Sequence, residues 1–479
     1  MNIKSSKCYK FLSRNGLIVS VLVGVAVGFA LGFGLRGVGP SDDAITWIGL
    51  PGEIYMRLLK MLLLPLVVAT IITGTASMDP KSNGRISAVS FCYILVSVAI
   101  GAIIAIILFF VFQPGKGVEI AAADYSNSVQ RNIRTSDMFA DMIRNFFPEN
   151  IVTVCFQKSQ TKYSASTRVV LVNGTNSSIT DEHKFVSSTS SLNILGLIVA
   201  CLFFGITASN LGERAELFIK FFEVISIMVM YIMNWVIWLT PIGVASLIAT
   251  GILKASDIET VFSSLGIFVL AHSLGIVFHQ LVLIPVTYFI TTRKNPLTFM
   301  GFCLRPCLSV FGPPSTAVGI PDMLKTLGEN LHVDSRVSNF FVPVAASLAR
   351  CGSCIFICLS SLFLTQLEGM SIDASKVVII GLLSTAGALA VPPVPSASIV
   401  SILVVLTSVD IEVSNVGLLI ALEWYNDRIR TTSNATTIIL GALIVEKLCR
   451  SSLQVAEDQI PKEKPIYESE VRVLVESEK

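Results

Sequence analysis

Apolar stretches about as long as a bilayer core is thick recur along this chain: 17–35, 58–76, 86–112, 195–209, 218–253 in pieces and 264–290, then more broken material to residue 445. A helix needs about 20 apolar residues to cross the hydrocarbon, and no water is there to satisfy its backbone N–H and C=O groups. The pattern therefore predicts an all-α polytopic membrane protein, with about eight transmembrane helices plus interrupted segments. Only 14% of residues are charged, against roughly 25% in soluble domains. A net charge of +2 and the lack of a basic, aromatic-interleaved helix argue against nucleic acid as a partner. No phosphate loop, nucleophile elbow or zinc motif occurs, so nothing points to an enzyme.

Lys4, Lys7, Lys10 and Arg14 precede the first span, which is too long for a signal peptide and lacks a small-residue cleavage site after it. The positive-inside rule puts the N-terminus, 1–15, in the cytoplasm. Spans one to three then occupy 16–112, and residues 113–192 form an extracellular loop whose sequons, Asn173-Gly-Thr and Asn176-Ser-Ser, agree with that side. Residues 193–294 are assigned to spans four and five, 295–446 to a core with broken segments, and 447–479 to a disordered cytoplasmic tail. A third sequon at Asn434 lies inside a span and is expected to stay unmodified. Cys351, Cys354 and Cys358 on one helix, and Cys303 with Cys307 on another, raise a metal site; with no nearby histidine or carboxylate in sequence, small hydrophobic packing is preferred. His272 and His279 read as packed, hydrogen-bonded core residues.

Two apolar stretches of the second half are interrupted at corresponding places. Between Asn295 and Asp334 comes "RPCLSVFGPPSTAVGIP", followed by a continuous span over 340–364. Between Lys376 and Asp410 comes "AVPPVPSAS", followed by a second span over 416–445. Two readings fit: proline kinks in ordinary spans, or an inverted repeat with two re-entrant hairpins whose tips, Ser315 and Thr316 in one and Val394 and Pro395 in the other, meet at a binding site. The last span carries "EWYNDRIRTTSN". At 100° per residue Glu423, Asp427, Arg430, Thr431 and Asn434 share one face, while Arg428 points elsewhere. Charge in a span is costly and faces protein or a cavity. The stripe suits a zwitterion, with Asp427 for an ammonium, Asn434 for a carboxylate and Arg430 for a second carboxylate; alternatively Asp427 and Arg430 pair with each other at i,i+3.

These residues, with "PGEIYMRLLKMLLLPLVVATIITG" (51–74), "SDMFADMIRNFFPEN" (136–150) and "YFITTRKNP" (288–296), resemble the sodium-coupled dicarboxylate and amino acid symporters, the excitatory amino acid transporters among them. The resemblance spans about residues 15–450. It implies a plasma-membrane homotrimer with eight spans and two hairpins, in which a scaffold of spans one, two, four and five holds an elevator-type transport part. It implies L-glutamate or L-aspartate as substrate, with Asp427 on the α-ammonium, Arg430 on the side-chain carboxylate, Asn434 near the α-carboxylate and Thr431 in the same pocket. It also implies sodium, yet the family's Asn-Met-Asp-Gly-Thr, an unwound stretch whose oxygen atoms bind the ion, is here Ala349, Arg350, Cys351, Gly352 and Ser353, and its last-span sodium aspartate is Ile438. The family's third-span threonines align with Cys92, Tyr93 and Ile94, and its seventh-span glutamate with Ile357. A degenerate sodium site of Ala349, Cys351, Ser353, Asn434 and Ile438 offers no carboxylate. Where the family has a serine run and a glycine-rich gate, this chain has "PPSTAVGIP" and "ALAVPPVPSAS", which predicts stiffer tips. Arg350 either replaces the charge of bound sodium or pairs with Asp427 or Glu423 and closes the site. The chain is accordingly expected to be an acidic amino acid transporter of that symporter family, or else an uncoupled facilitator, a substrate-gated anion channel or sensor, or a silent subunit.

Overall fold

The computed structural model describes residues 16–458 except 77–79, 117–134, 173–174, 191, 255–257, 371, 392, 394, 410 and 412–415. The basic N-terminal residues, Asn173, Val394 and the end of the chain beyond 458 thus lie outside the described residues. What is described is overwhelmingly helical, with one two-stranded ribbon. In chain order come α1 (Gly16–Arg36), α2 (Asp42–Ala76), α3 (Pro80–Phe112), α4 (Thr135–Phe146), strands β1 (Gln157–Val172) and β2 (Thr175–Ser190), and α5 (Ile194–Leu211). Next are α6 (Glu216–Trp238), α7 (Thr240–Lys254), α8 (Ile258–Phe278), α9 (Ile284–Thr292), α10 (Pro296–Phe311) and α11 (Ile320–Lys325). The last are α12 (Ser335–Leu348), α13 (Cys351–Leu367), α14 (Ala374–Leu389), α15 (Ala397–Ser408), α16 (Val416–Ala421) and α17 (Glu423–Asp458). Six helical stretches among the described residues are long and apolar enough to cross a membrane. The 36-residue α17 is not one of them, because its polar stripe lowers its hydropathy although most of its described side chains are buried.

The helices sort into two packing groups. In one, α1 lies on α7, and α2 lies on α5, α6 and α7. Span one fits because Gly24, Gly28 and Gly32 repeat every four residues along one face of α1. A Cβ at Gly24 would meet the Pro241 carbonyl, one at Gly28 would stand 2.8 Å from the Ala245 carbonyl oxygen, and one at Gly32 would stand 2.8 Å from Ile252. Without side chains the two backbones approach closely, which is how helices associate where lipid removes the hydrophobic drive. The other group collects α3, α8, α10, α12, α14 and α15 around α13 and α17, and the residues of α13 are all buried except Gln366. Here α8 departs from the sequence assignment: it falls within 193–294 yet packs on α3, α13 and α17.

Three further departures follow from local chemistry. The long segment expected over 340–364 is not continuous, since the helix unwinds at Ala349 (ψ 87°) and Arg350 (φ −115°, ψ 45°). The second is likewise broken before Glu423, and α17 runs on through Asp458 into the stretch expected as a disordered tail. The segment 113–192, expected as an extracellular loop, holds α4 and the two-stranded ribbon among its described residues. Asp141 on α4 accepts Thr161 N and Oγ1 at 2.6 and 2.7 Å, and Asn145 exchanges two 2.9 Å bonds with the Ser159 backbone, so the "SDMFADMIRN" motif seats the ribbon. Strands β1 and β2 pair from Gln157↔Ser190 to Val172↔Thr175. Of the two sequon asparagines only the backbone of Asn176, in β2, is described.

The two interrupted stretches form helix pairs that fold back on themselves, α10 with α11 and α14 with α15. At 1.5 Å per residue the 16 residues of α10 or α14 reach about 24 Å, short of a hydrocarbon core of about 30 Å. Gly28→Leu should force α1 off α7 and cost about 1–3 kcal/mol by overpacking. The apparent melting temperature in detergent should fall by several degrees, whereas Gly34→Leu, with open space around its Cβ position, should leave it unchanged.

Candidate functional site

The polar stripe of α17 is buried. Arg430 is 1% exposed, Glu423 3% and Asp427 5%. Helical spacing explains the cluster: Glu423 and Arg430 are two turns apart, and Asp427 lies between them on the same face. Arg430 Nη2 and Nη1 reach Glu423 Oε1 and Oε2 at 2.6 and 3.1 Å, a bidentate pair, and Nη2 also meets Asp427 Oδ1 at 2.7 Å. From α13, Phe356 lies under the guanidinium, 4.5 Å from ring centroid to Cζ. Planar geometry lets Arg serve two carboxylates and a ring face at once, which a lysine ammonium would not do. Of the two sequence readings, the internal i,i+3 pair is therefore present, and Glu423 completes it.

The tips of both helix pairs converge on this cluster. Ser396, which follows Pro395 in the "VPSAS" run, takes φ +59°, a left-handed conformation rare outside glycine, and its N–H donates to Asp427 Oδ2 at 2.8 Å. On the first pair Ser315 Oγ donates to the Pro393 carbonyl at 2.6 Å, tying tip to tip, and Thr316 Oγ1 donates to the Ala346 carbonyl at 2.8 Å. The same Ala346 carbonyl accepts Arg350 Nη2 at 3.0 Å. Arg350, 4% exposed, has no carboxylate of the described residues within 4.0 Å, so of its two readings the direct pairing with Asp427 or Glu423 is absent.

The other expected residues hold the frame. Thr431 Oγ1 donates to the Asp427 carbonyl at 2.6 Å within α17. Asn434 Oδ1 accepts Gly352 N at 2.8 Å and Ser353 N at 3.4 Å, while its Nδ2 donates to Ser353 Oγ at 3.2 Å. The start of α13 is thereby stitched to α17. Gly352 permits the approach, since a Cβ there would meet the Arg430 carbonyl and stand 3.0 Å from Ser433 Cβ.

Sodium requires several hard oxygen donors, and this donor set does not fit it. Ala349 and Ile438 bring only apolar side chains, both fully buried. Cys351 brings a soft sulfur 3.2 Å from His279 Nε2, and the Asn434 and Ser353 oxygens are already engaged. No cluster of three or more metal-ligating side chains occurs among the described residues. The histidines are packed and bonded as expected, His272 to Asn426 at 2.8 Å and His279 to Ser433 at 2.8 Å. Sequence reasoning missed Phe356, which no pattern marks, and Ser396, for which the preceding Pro-Val-Pro run was the available signal.

The sequence profile of the Sodium:dicarboxylate symporter family matches residues 17–448. Excitatory amino acid transporter 2 of Homo sapiens is 32% identical over 436 residues, covering 87% of this chain and 76% of its own. An excitatory amino acid transporter of Caenorhabditis elegans is 32% identical over 434 residues, 89% and 86% of the two chains. Neutral amino acid transporter A of Homo sapiens is 31% identical over 463 residues, 95% and 86%.

Removing one partner of a buried ion pair leaves the other uncompensated, at a cost of about 3–5 kcal/mol. Glu423→Gln and Arg430→Met should each lower the melting temperature in detergent. The double variant should lose less than the sum, and additive losses would show that the two groups do not interact.

Proposed function

The chain belongs to the sodium:dicarboxylate symporter family, and from that premise we propose that it carries acidic amino acids across the plasma membrane without sodium bound at the family's seventh-span position. It is a multi-pass membrane protein of a transporter family, not of an enzyme family. The observation that carries the proposal is the buried cluster of Glu423, Arg430 and Asp427 beneath two touching tips. Arg430 is neutralised by its own helix. An arriving side-chain carboxylate takes a place on that guanidinium, and Asp427, relieved of part of that pairing, accepts the α-ammonium. Charge is exchanged, so no bare ion is left in the low-dielectric interior.

In this reading α1, α2, α5, α6 and α7 are the scaffold, and the α3, α8, α10–α15 and α17 group moves as the elevator, with the two helix pairs as re-entrant hairpins of an inverted repeat. The homotrimer, the extracellular side of 113–192 and glycans at Asn173 and Asn176 belong to the same proposal. The replaced sodium ligands favour equilibrating transport over sodium-driven accumulation.

Labelled L-glutamate uptake into proteoliposomes tests this. L-Aspartate should inhibit uptake much better than L-glutamine, and half-saturation should change by less than about threefold when choline replaces sodium, since a threefold change is well under 1 kcal/mol. Arg430→Met should erase the preference for acidic substrates, a loss of about 2–4 kcal/mol, or roughly 30- to 1,000-fold in affinity. Affinity that climbs steeply with sodium would overturn the sodium-free reading; unchanged preference in Arg430→Met would overturn the pocket assignment.

A further inference from the structure

Arg350 is a buried cation with no carboxylate beside it among the described residues. It sits where the chain unwinds between α12 and α13, and it lies within the electrostatic field of both Asp427 and Arg430. Nη2 is anchored on the Ala346 carbonyl, while Nε–H is buried with no hydrogen-bond partner among the described residues. Almost every buried polar group in a folded protein is satisfied, and an unpaired guanidinium N–H is among the more costly exceptions. Arg430 is matched in charge by Glu423 and Asp427 of its own helix and covered by the Phe356 ring, whereas Arg350 has no carboxylate partner among the described residues.

Asn434 narrows the choice of donor. Its oxygen accepts two backbone N–H groups and one of its two amide N–H groups goes to Ser353, so at most one neutral N–H is left for a ligand carboxylate. Those bonds fasten Asn434 to the residues that immediately follow Arg350 in the chain. Beside that neutral amide the Arg350 guanidinium is the stronger donor for a carboxylate, because it is charged.

Resting on the acidic amino acid reading above, we propose that Arg350 receives the α-carboxylate of the transported amino acid through its free Nε–H, as a fixed cation in place of a coupling ion. Charge balance supports a dicarboxylic substrate. Arg428, half-buried on the same helix and donating to the Trp424 carbonyl, feels the Asp427 charge. With Arg428 nearby on the same helix, Arg350, Arg430 and the substrate ammonium stand against Glu423, Asp427 and two substrate carboxylates, so a second substrate carboxylate is offset by built-in positive charge. The shared Ala346 carbonyl also links Arg350 to Thr316 at the tip of the first helix pair, so loading the α-carboxylate is felt at that tip.

The test measures binding to the full-length protein in detergent, in sodium-free choline buffer, by calorimetry with L-glutamate, its α-amide and its side-chain amide, glutamine. The wild type should prefer glutamate over the α-amide by about 30-fold or more, as expected of a charge-assisted pair. Arg350→Met should bind glutamate about 30-fold more weakly and lose that preference, with Arg350→Lys recovering part of it. Arg430→Met should keep the α-amide preference and lose only the discrimination against glutamine. Should Arg350→Met fail to fold, the wild-type comparison decides alone: equal affinity for glutamate and its α-amide overturns the assignment. A wild type that binds neither glutamate nor aspartate removes the reading on which the inference rests, whereas glutamate binding that Arg350→Met leaves intact removes the inference alone.

Discussion

A guanidinium that is 1% exposed inside a membrane protein dictates much of what surrounds it. Its charge has to be matched where dielectric screening is weak, and the match has to come from within reach of one side chain. Glu423 and Asp427 supply it from the same helix, Phe356 covers the open face, and Gly352 lets α13 come close enough to bring that ring. The helix breaks follow. Backbone unwound at Ala349 and Arg350 and at the tips of the helix pairs is tolerable at membrane depth only where protein covers it, and here the tips bond to each other, to Asp427 and to Ala346.

How much of this was legible in the sequence depended on whether a feature was periodic. The apolar runs marked the helices because period and length alone fix them, and the polar face of the last helix followed from 100° geometry. Asp427 and Arg430 were found as neighbours for the same reason. What periodicity does not encode is the partner across space: nothing in "CGSCIFICLS" singles out Phe356 as the ring under Arg430, or shows that Asn434 is engaged by Gly352. The break at Arg350 was hidden from periodicity by apolar residues on both sides, and only the resemblance implied an unwound stretch there. The ribbon of β1 and β2 went unread because its polar, threonine- and serine-rich strands look like a soluble loop until α4 provides Asp141 and Asn145 to seat them.

The departures from the family pattern form a consistent set. Where the resemblance implies a sodium-binding stretch, this chain has Arg350; where it implies serine and glycine tips, it has proline. A fixed charge needs no ion to assemble the pocket, and stiff tips lose less entropy on closing. The proposed consequence is a cycle governed by substrate and internal salt bridges rather than by an ion gradient.

The most direct test counts ions against substrate. Proteoliposomes containing the protein would take up L-glutamate and sodium carrying different radiolabels, under a clamped voltage. A site built on fixed arginines predicts glutamate flux with no sodium moving alongside it. One or more sodium ions carried per glutamate would contradict it.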